Sequence, residues 1–501
     1  MTSPNTLLLN WLLALPFFAA LAAALFPRFT MGIRSAREAG EMERGPLLFG
    51  ALTSAMGLSL AIRITSLVAR GEAVTANYLW TQDLYHLRFQ ADPLFAPIAL
   101  LIFGLGLAIF LHLAGQEARP RLHHRAALLL LAQGCVLAAA AAADLILLVF
   151  LLGLGMAALC LLISLESSQR GQAMLLNGHL VWLAVLFAAL LMWRQSGDTS
   201  LTQLPLLLLT KPPSALRAAA LLALFGLTPL LAGAPGYGRW LAAIRAAPSL
   251  AGVASVLLVV AGGVALLRLL PGSLVLPAVP GLATPALWTG LIVLFTGALG
   301  AWRANDLRGR AGWLTVAQPG YLLLALAGAS RPGASSAFFT AATRHVALAP
   351  LALLAIWLAG LTVLSRARTD TLVGLSGLFR KMPLAGLAWL VGGLSLVGAP
   401  PLAGFREQSL LLSAVAGDRG WALLTALLAA DLIIVYAVLD GFRRVFLRGQ
   451  PPPDLRPTSP GLDAPLLLLV LVIVAAGLWS GPLDEWADLI CRTALTLRPT
   501  P

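Results

Sequence analysis

Long apolar stretches separated by short polar gaps run from one end of the chain to the other. A helix crossing the hydrocarbon core of a bilayer needs about 20 apolar residues. On that measure the pattern predicts fourteen spans, near residues 7–26, 46–68, 94–113, 126–142, 145–165, 173–193, 217–245, 249–270, 284–302, 311–329, 337–364, 383–416, 419–442 and 464–482. The first span is read as a retained helix, because no Lys or Arg precedes it and Pro27-Arg28 is a poor small-residue cleavage site. The expected fold class is an all-α polytopic membrane protein.

Two spans are too long and are interrupted. The stretch 217–245 carries Gly226, Pro229, Gly233, Pro235, Gly236 and Gly238, and 383–416 carries Gly398-Ala399-Pro400-Pro401. Proline removes a backbone donor and clashes with the preceding turn. Such a break survives at membrane depth only where protein or a water-filled cavity satisfies the backbone. A matched pair of broken helices in two halves of a chain points to a transporter-type repeat with its site at the breaks. The expected organisation is N-terminal helices in 1–113, a first repeat in 114–275 broken near 226–238, a second, inverted repeat in 276–450 broken near 398–404, and a C-terminal helix and tail in 451–501.

Composition sharpens this picture. The 501 residues are 59% apolar and 11% charged, against about 45–50% and about 25% in soluble domains. A soluble multidomain enzyme is thereby excluded. The net charge of +13 does not indicate nucleic-acid binding, because the basic residues fill the gaps between spans. Loops that follow odd-numbered spans hold 21 Lys and Arg, and even-numbered loops with the tail hold 10. The positive-inside rule then puts odd loops in the cytoplasm and both termini outside, as in a bacterial-type inner membrane. Three cysteines give no disulfide framework, and no Cys/His cluster suggests a metal or iron–sulfur centre. No cofactor is expected.

The stretch Arg380-Lys381-Met382-Pro383-Leu384, followed by Leu394-Ser395-Leu396-Val397-Gly398-Ala399-Pro400-Pro401-Leu402-Ala403-Gly404-Phe405, carries a specific pattern. It resembles the R-x-P-L…L-S-L-x-G-x-P-P-L-x-G-F signature of the antiporter-like membrane subunits of respiratory complex I and of Mrp-type cation/proton antiporters. Asp306-Leu307-Arg308 with Arg310, Ala317-Gln318 and Gly320-Tyr321 resemble that family's entry to the tenth helix. Gly153-Leu154, Trp240-Leu241 and Ala247-Pro248-Ser249 resemble weaker family segments. The likeness covers roughly residues 80 to 450. The chain ends soon after the fourteenth span, which resembles the shorter family members that lack a long lateral helix.

The resemblance implies proton or monovalent-cation movement through a buried glutamate on the fifth helix and lysines on the seventh, eighth or eleventh, and twelfth. A desolvated lysine exchanges protons near neutral pH. This chain departs from the pattern at each position. Gly155 stands for the glutamate, and Thr228, Val260, Ala349 and Gln408 stand for the lysines. The only two lysines, Lys211 and Lys381, fall in loops. Thr and Gln order water but hold no charge, so the family's relay is read as dismantled.

The remaining polar residues inside or beside spans carry open alternatives. Asp431, in the apolar run Ala429–Tyr436, must be neutral, paired or facing a cavity; Arg406 and Arg344 are the available partners. His345 either hydrogen-bonds a carbonyl freed by Pro319 or Pro350 or keeps a proton role. Glu407 either pairs locally with Arg406 or titrates at the Pro400-Pro401 break. Asp144 and Asp92 read as helix caps, Glu166 and His179 as solvated loop ends, and Asp440 as an interfacial partner of Arg443 and Arg444.

Three functions follow. The first is an accessory or scaffold subunit of a complex-I-like or Mrp-like assembly, with a degenerate proton path. The second is an active transporter rerouted through Asp431, Glu407 and His345, with Gln408, Gln318 and Thr228 along the path. The third is a membrane partner of a hydrogenase-like or inorganic-carbon uptake complex. The sequence offers no redox centre or nucleotide loop, so the chain is not itself expected to be a dehydrogenase. Its expected partners are other membrane subunits and the bilayer.

Overall fold

The computed structural model describes residues 4–29, 44–81, 85–116, 122–165, 168–197, 199–201, 251–269, 283–329, 336–369, 371–418, 420–452, 455 and 458–496. The predicted first break, with Thr228 and Pro229, lies outside them, as does Glu166. The helices are α1 (Pro4–Phe29), α2 (Gly45–Ala69), α3 (Phe95–Gly115), α4 (Leu122–Ala141), α5 (Leu145–Ser164), α6 (Ser168–Ser196), α7 (Ala251–Leu269), α8 (Ala283–Arg303), α9 (Leu307–Ala329), α10 (Ser336–Ala367), α11 (Pro383–Leu396), α12 (Gly404–Gly417), α13 (Trp421–Phe442), α14 (Pro460–Leu478) and α15 (Gly481–Thr496). Among the described residues, nine helices are long and apolar enough to cross a membrane.

Among the described residues the helices stand where the apolar pattern put them, with three refinements; the predicted span 217–245 lies outside those residues. The run 126–165 divides cleanly into α4 and α5. Asp144 caps α5, accepting from the backbone of Ile146 at 2.9 Å and Leu147 at 3.1 Å. The predicted twelfth span is two helices, α11 and α12, around an irregular segment 397–403. Gly398 takes a left-handed φ of +73° there, which suits glycine, and its bare Cα leaves room for Gln408.

The third refinement adds a strand pair to the loop between the second and third spans. Residues between α2 and α3 form an antiparallel hairpin, β1 (Val74–Thr81) and β2 (Tyr85–Ala91). Val74 and Ala76 point into the protein while Thr75 and Asn77 point out, the alternation a half-buried strand requires. Helix α15 was likewise read only as a tail. It lays Ala487, Ile490 and Cys491 against the protein.

The hairpin marks one end of the bundle. Asn5 donates to Glu72 at 2.8 Å, and Thr6 to the Thr75 carbonyl at 3.0 Å. The α4–α5 turn joins the hairpin through Ala143 N–H to Arg88 O at 3.0 Å, and Leu145 N–H bonds Thr199 O at 2.8 Å. Arg268 at the end of α7 reaches both Asp92 and the Ala140 carbonyl. Further contacts between described loops lie at the opposite end. Arg44 meets Gln116 O at 3.5 Å, Arg366 meets Ser459 at 3.1 Å, Ser376 meets Gln450 O at 2.9 Å, and Leu372 N–H meets Asn305 O at 2.9 Å. The last turn of α3 rests on the first turn of α14 through Gly115 and Gly461. Helix α14 therefore runs back towards the hairpin end and delivers α15 there.

Helices α9 and α10 form the centre. Both are buried almost throughout, although each carries an internal proline, Pro319 and Pro350. Two wholly buried indoles satisfy their N–H groups: Trp357 donates to Thr315 at 3.0 Å and Trp389 to the Val438 carbonyl at 3.2 Å. The polar residues of α9 and α10 thus face other helices.

Candidate functional site: a buried polar cluster at the second break

The break between α11 and α12 sets Glu407 and Gln408 on the first turn of α12, pointing inward, 3% and 4% exposed. Ser395 Oγ accepts the Gly404 N–H at 3.2 Å, closing the break. Gln408 donates to the Leu396 carbonyl at 3.4 Å. Opposite them lies His345 on α10. Its Nδ1 is 3.2 Å from Glu407 Oε1, and its Nε2 is 3.0 Å from the carbonyl oxygen of Gln318 on α9. Gln318 is fully buried and donates to the Leu314 carbonyl at 3.2 Å.

One turn along α9 from Gln318, Tyr321 continues the cluster. Its ring centroid lies 5.9 Å from that of His345. Its hydroxyl donates to Asp431 Oδ1 on α13. Two hydrogen-bonded pairs, His345–Glu407 and Tyr321–Asp431, thus abut through their rings. Three acceptor atoms, Glu407 Oε2, Gln318 Oε1 and Gln408 Oε1, are buried with no hydrogen-bond partner among the described residues. Buried acceptors without donors are rare, and they mark places for a proton or ordered water. The cluster can hold a proton on the imidazole–carboxylate pair and another on the phenol–carboxylate pair.

Several expected pairings differ. Neither Arg344 nor Arg406 pairs with Asp431, because both turn to Asp484 on α15, at 2.7 Å and 3.6 Å. Glu407 does not pair with Arg406. Consecutive residues on a helix point about 100° apart, so Glu407 faces the core while Arg406 is 51% exposed. His345 meets the Gln318 carbonyl, whereas Pro319 and Pro350 free those of the residues four before them. Asp440 meets Arg443 and Arg444 as expected, but its most buried partner is Arg310 of α9, at 2.7 Å. Tyr321 and Asp484 were not picked out from the sequence as site residues.

The residues read from the sequence as standing at family relay positions are closely packed or buried where the structure describes them. Gly155 on α5 lies so close to α4 that a Cβ there would sit 3.1 Å from the Cβ of Cys135. Val260 on α7 is wholly buried in the apolar core, and Ala349 on α10 is buried as well. Pro400 and Pro401 sit in the break with Leu402 buried beside them. His179 on α6 lies beside Trp182, ring centroids 5.8 Å apart.

Residues 142–433 match the family model described as NADH:quinone oxidoreductase/Mrp antiporter, transmembrane. Subunit 14 of the NADH-quinone oxidoreductase of Thermus thermophilus is 38% identical over 121 residues, which is 24% of this chain and 28% of that protein. The match therefore spans well under half of that relative's length. Among solved structures, a chain of the Mrp complex from Dietzia sp. DQ12-45-1b superposes with a TM-score of 0.81 at 18% identity, covering 98% of both chains. A chain of the membrane-bound sulfane sulfur reductase, an archaeal respiratory membrane complex, superposes with a TM-score of 0.83 at 17% identity, covering 97% of both chains.

Proposed function

We infer, from the fact that this chain belongs to the NADH:quinone oxidoreductase/Mrp antiporter membrane family, that it is a membrane subunit of a complex-I-like or Mrp-type assembly. In this reading its relay is interrupted in the first half, and proton handling is confined to the second. The observation that carries the reading is the contrast between halves. Gly155 and Val260 are packed into apolar surroundings, while His345, Glu407, Tyr321 and Asp431 form two abutting pairs beside the second break. An ionisable group inside a bilayer is costly and is retained where it pairs or moves charge. The chain then serves mainly as a scaffold that packs against charge-moving subunits.

A second reading, an active path through Asp431, Glu407 and His345, is favoured by the three unpartnered acceptors around that cluster. Proton flux in liposomes holding the whole assembly separates the two. Glu407→Gln and Asp431→Asn each leave flux unchanged if the role is scaffolding. A large loss with the assembly intact establishes the rerouted path.

The membrane is proposed to be a bacterial-type plasma membrane with both termini outside. Contacts between odd loops, Arg44 with Gln116 and Arg366 with Ser459, support a shared face for them, and that face is assigned to the cytoplasm because the odd loops are richer in Lys and Arg. The fold is shared by a chain of an Mrp complex and a chain of an archaeal membrane-bound sulfane sulfur reductase, so the partner is a separate question. Mass spectrometry of co-purifying chains answers it: quinone-reductase or Mrp subunits support the proposal, and hydrogenase-like or carbonic-anhydrase-like chains displace it.

A further inference from the structure

The His345–Glu407 pair has a charged neighbour whose hydrogen bonds are only partly used. Arg344 precedes His345 on α10 and is 2% exposed. Its Nη1 donates to Asp484 Oδ1 of α15 at 2.7 Å, while Nε and Nη2 are buried without an acceptor. Across the same helix contact, Glu407 Oε2 is buried without a donor. Unused donors and an unused acceptor of opposite charge thus sit one residue away from an existing bond, His345 to Glu407. Arg406, next to Glu407, already faces Asp484 Oδ2 at 3.6 Å, so Asp484 has a second counter-ion in place.

An arginine does not shed its charge, and buried donors left empty are destabilising. Two carboxylates therefore compete for one buried guanidinium. We propose that Arg344 is a positioning residue that exchanges between Asp484 and Glu407, so that the docking of α15 sets how readily the His345–Glu407 pair holds a proton. In the arrangement described above, Asp484 holds Arg344 and Glu407 faces His345. In the other, Arg344 turns to Glu407 Oε2, Arg406 keeps Asp484, and Glu407 stays ionised. The groups facing Glu407 are Arg344 and His345 from α10 and Tyr321 from α9; Arg406, next to it on its own helix, turns away to Asp484, and Asp431 on α13 acts on Glu407 through Tyr321. The functional meaning of the exchange rests on reading this cluster as a proton-handling site.

The test is infrared spectroscopy of the whole assembly in lipid, following the carboxylic C=O stretch that disappears in Glu407→Gln. Asp484→Asn releases Arg344 towards Glu407, and the ratio of protonated to ionised Glu407 falls about tenfold, the effect of one opposite charge at close range. Arg344→Gln raises that ratio. The double variant behaves as Arg344→Gln alone. Arg406→Gln guards against undocking of α15, because it strips Asp484 of its second counter-ion while leaving Arg344 bound to it; the ratio rises, opposite to Asp484→Asn. A purely structural Arg344 changes stability and leaves the band in place. An unmoved band in Asp484→Asn and Arg344→Gln overturns the exchange. If Glu407→Gln leaves proton flux untouched, the transport reading fails while the band still reports on the exchange.

Discussion

Tyr321 of α9 donates its hydroxyl to Asp431 of α13, in a contact where the tyrosine is 1% exposed. This bond explains how a carboxyl persists in the middle of an apolar helix without an arginine beside it. Tyr321→Phe leaves that half-buried acid without its donor. Removing one partner of a buried hydrogen bond costs about 1–3 kcal/mol, so the thermal midpoint of the purified protein is expected to fall. Tyr321→Phe with Asp431→Leu recovers most of the loss, because both polar groups are then gone. An unchanged midpoint in the single variant means that the bond is not what keeps Asp431 in place.

Arg310 and Asp440 form the most buried arginine–carboxylate pair among the described residues. The guanidinium donates to Asp440 at 2.7 Å, to the Ala437 carbonyl at 2.5 Å and to the Ala304 carbonyl at 3.1 Å. Both side chains are nearly inaccessible. Asp440→Asn leaves a buried cation short of its counter-ion, an effect of about 3–5 kcal/mol. Arg310→Lys does not rescue, since a point ammonium cannot span three acceptors held in a fixed fork. Yield and thermal midpoint in detergent measure both effects.

The fold was legible wherever long apolar runs decide the structure, because burial in a bilayer demands them. The Arg positions group the odd loops on one face, and two contacts between such loops, Arg44 with Gln116 and Arg366 with Ser459, agree with that grouping among the described residues. Shorter periods were lost at that window length. Val74, Ala76 and Tyr78 alternate with polar residues and signal a strand, yet they sit in a gap between spans. Leu483, Trp486, Ala487 and Ile490 repeat at helical spacing and signal α15, which carries Asp484. His345, Glu407 and Asp431 were identifiable as costly residues in apolar runs. Their partners were not, because Tyr321 and Asp484 come from segments distant in sequence, brought close only by helix packing.

Close packing at Gly155, the position read from the sequence as replacing a glutamate, has a direct consequence. A Cβ there would stand 3.1 Å from the Cβ of Cys135, so α4 and α5 approach closely at this point. Gly155→Ala is expected to cost about 1–3 kcal/mol by overpacking. Gly155→Glu adds a carboxylate with no arranged partner to the same contact and is expected to abolish accumulation of folded protein. It therefore does not restore a family-type relay. Membrane-fraction yields of the two variants, compared with wild type, decide this. A well-folded Gly155→Glu protein would show that the α4–α5 contact can open.

His112, near the end of α3, is wholly buried, and neither ring nitrogen has a hydrogen-bond partner among the described residues. A neutral imidazole always presents one donor and one acceptor, so both are unsatisfied here. Replacing such a group by an apolar one of similar size is neutral or stabilising. His112→Leu is therefore expected to hold or raise the thermal midpoint of the isolated chain, whereas His112→Gln, which keeps an unsatisfied donor and acceptor, lowers it. The same pair of variants in the intact assembly carries more information. A leucine variant that is stable alone but weakens the assembly places the missing partner of His112 on a neighbouring subunit. One that is destabilised in both settings points to ordered water held between α3 and the helices packed against it.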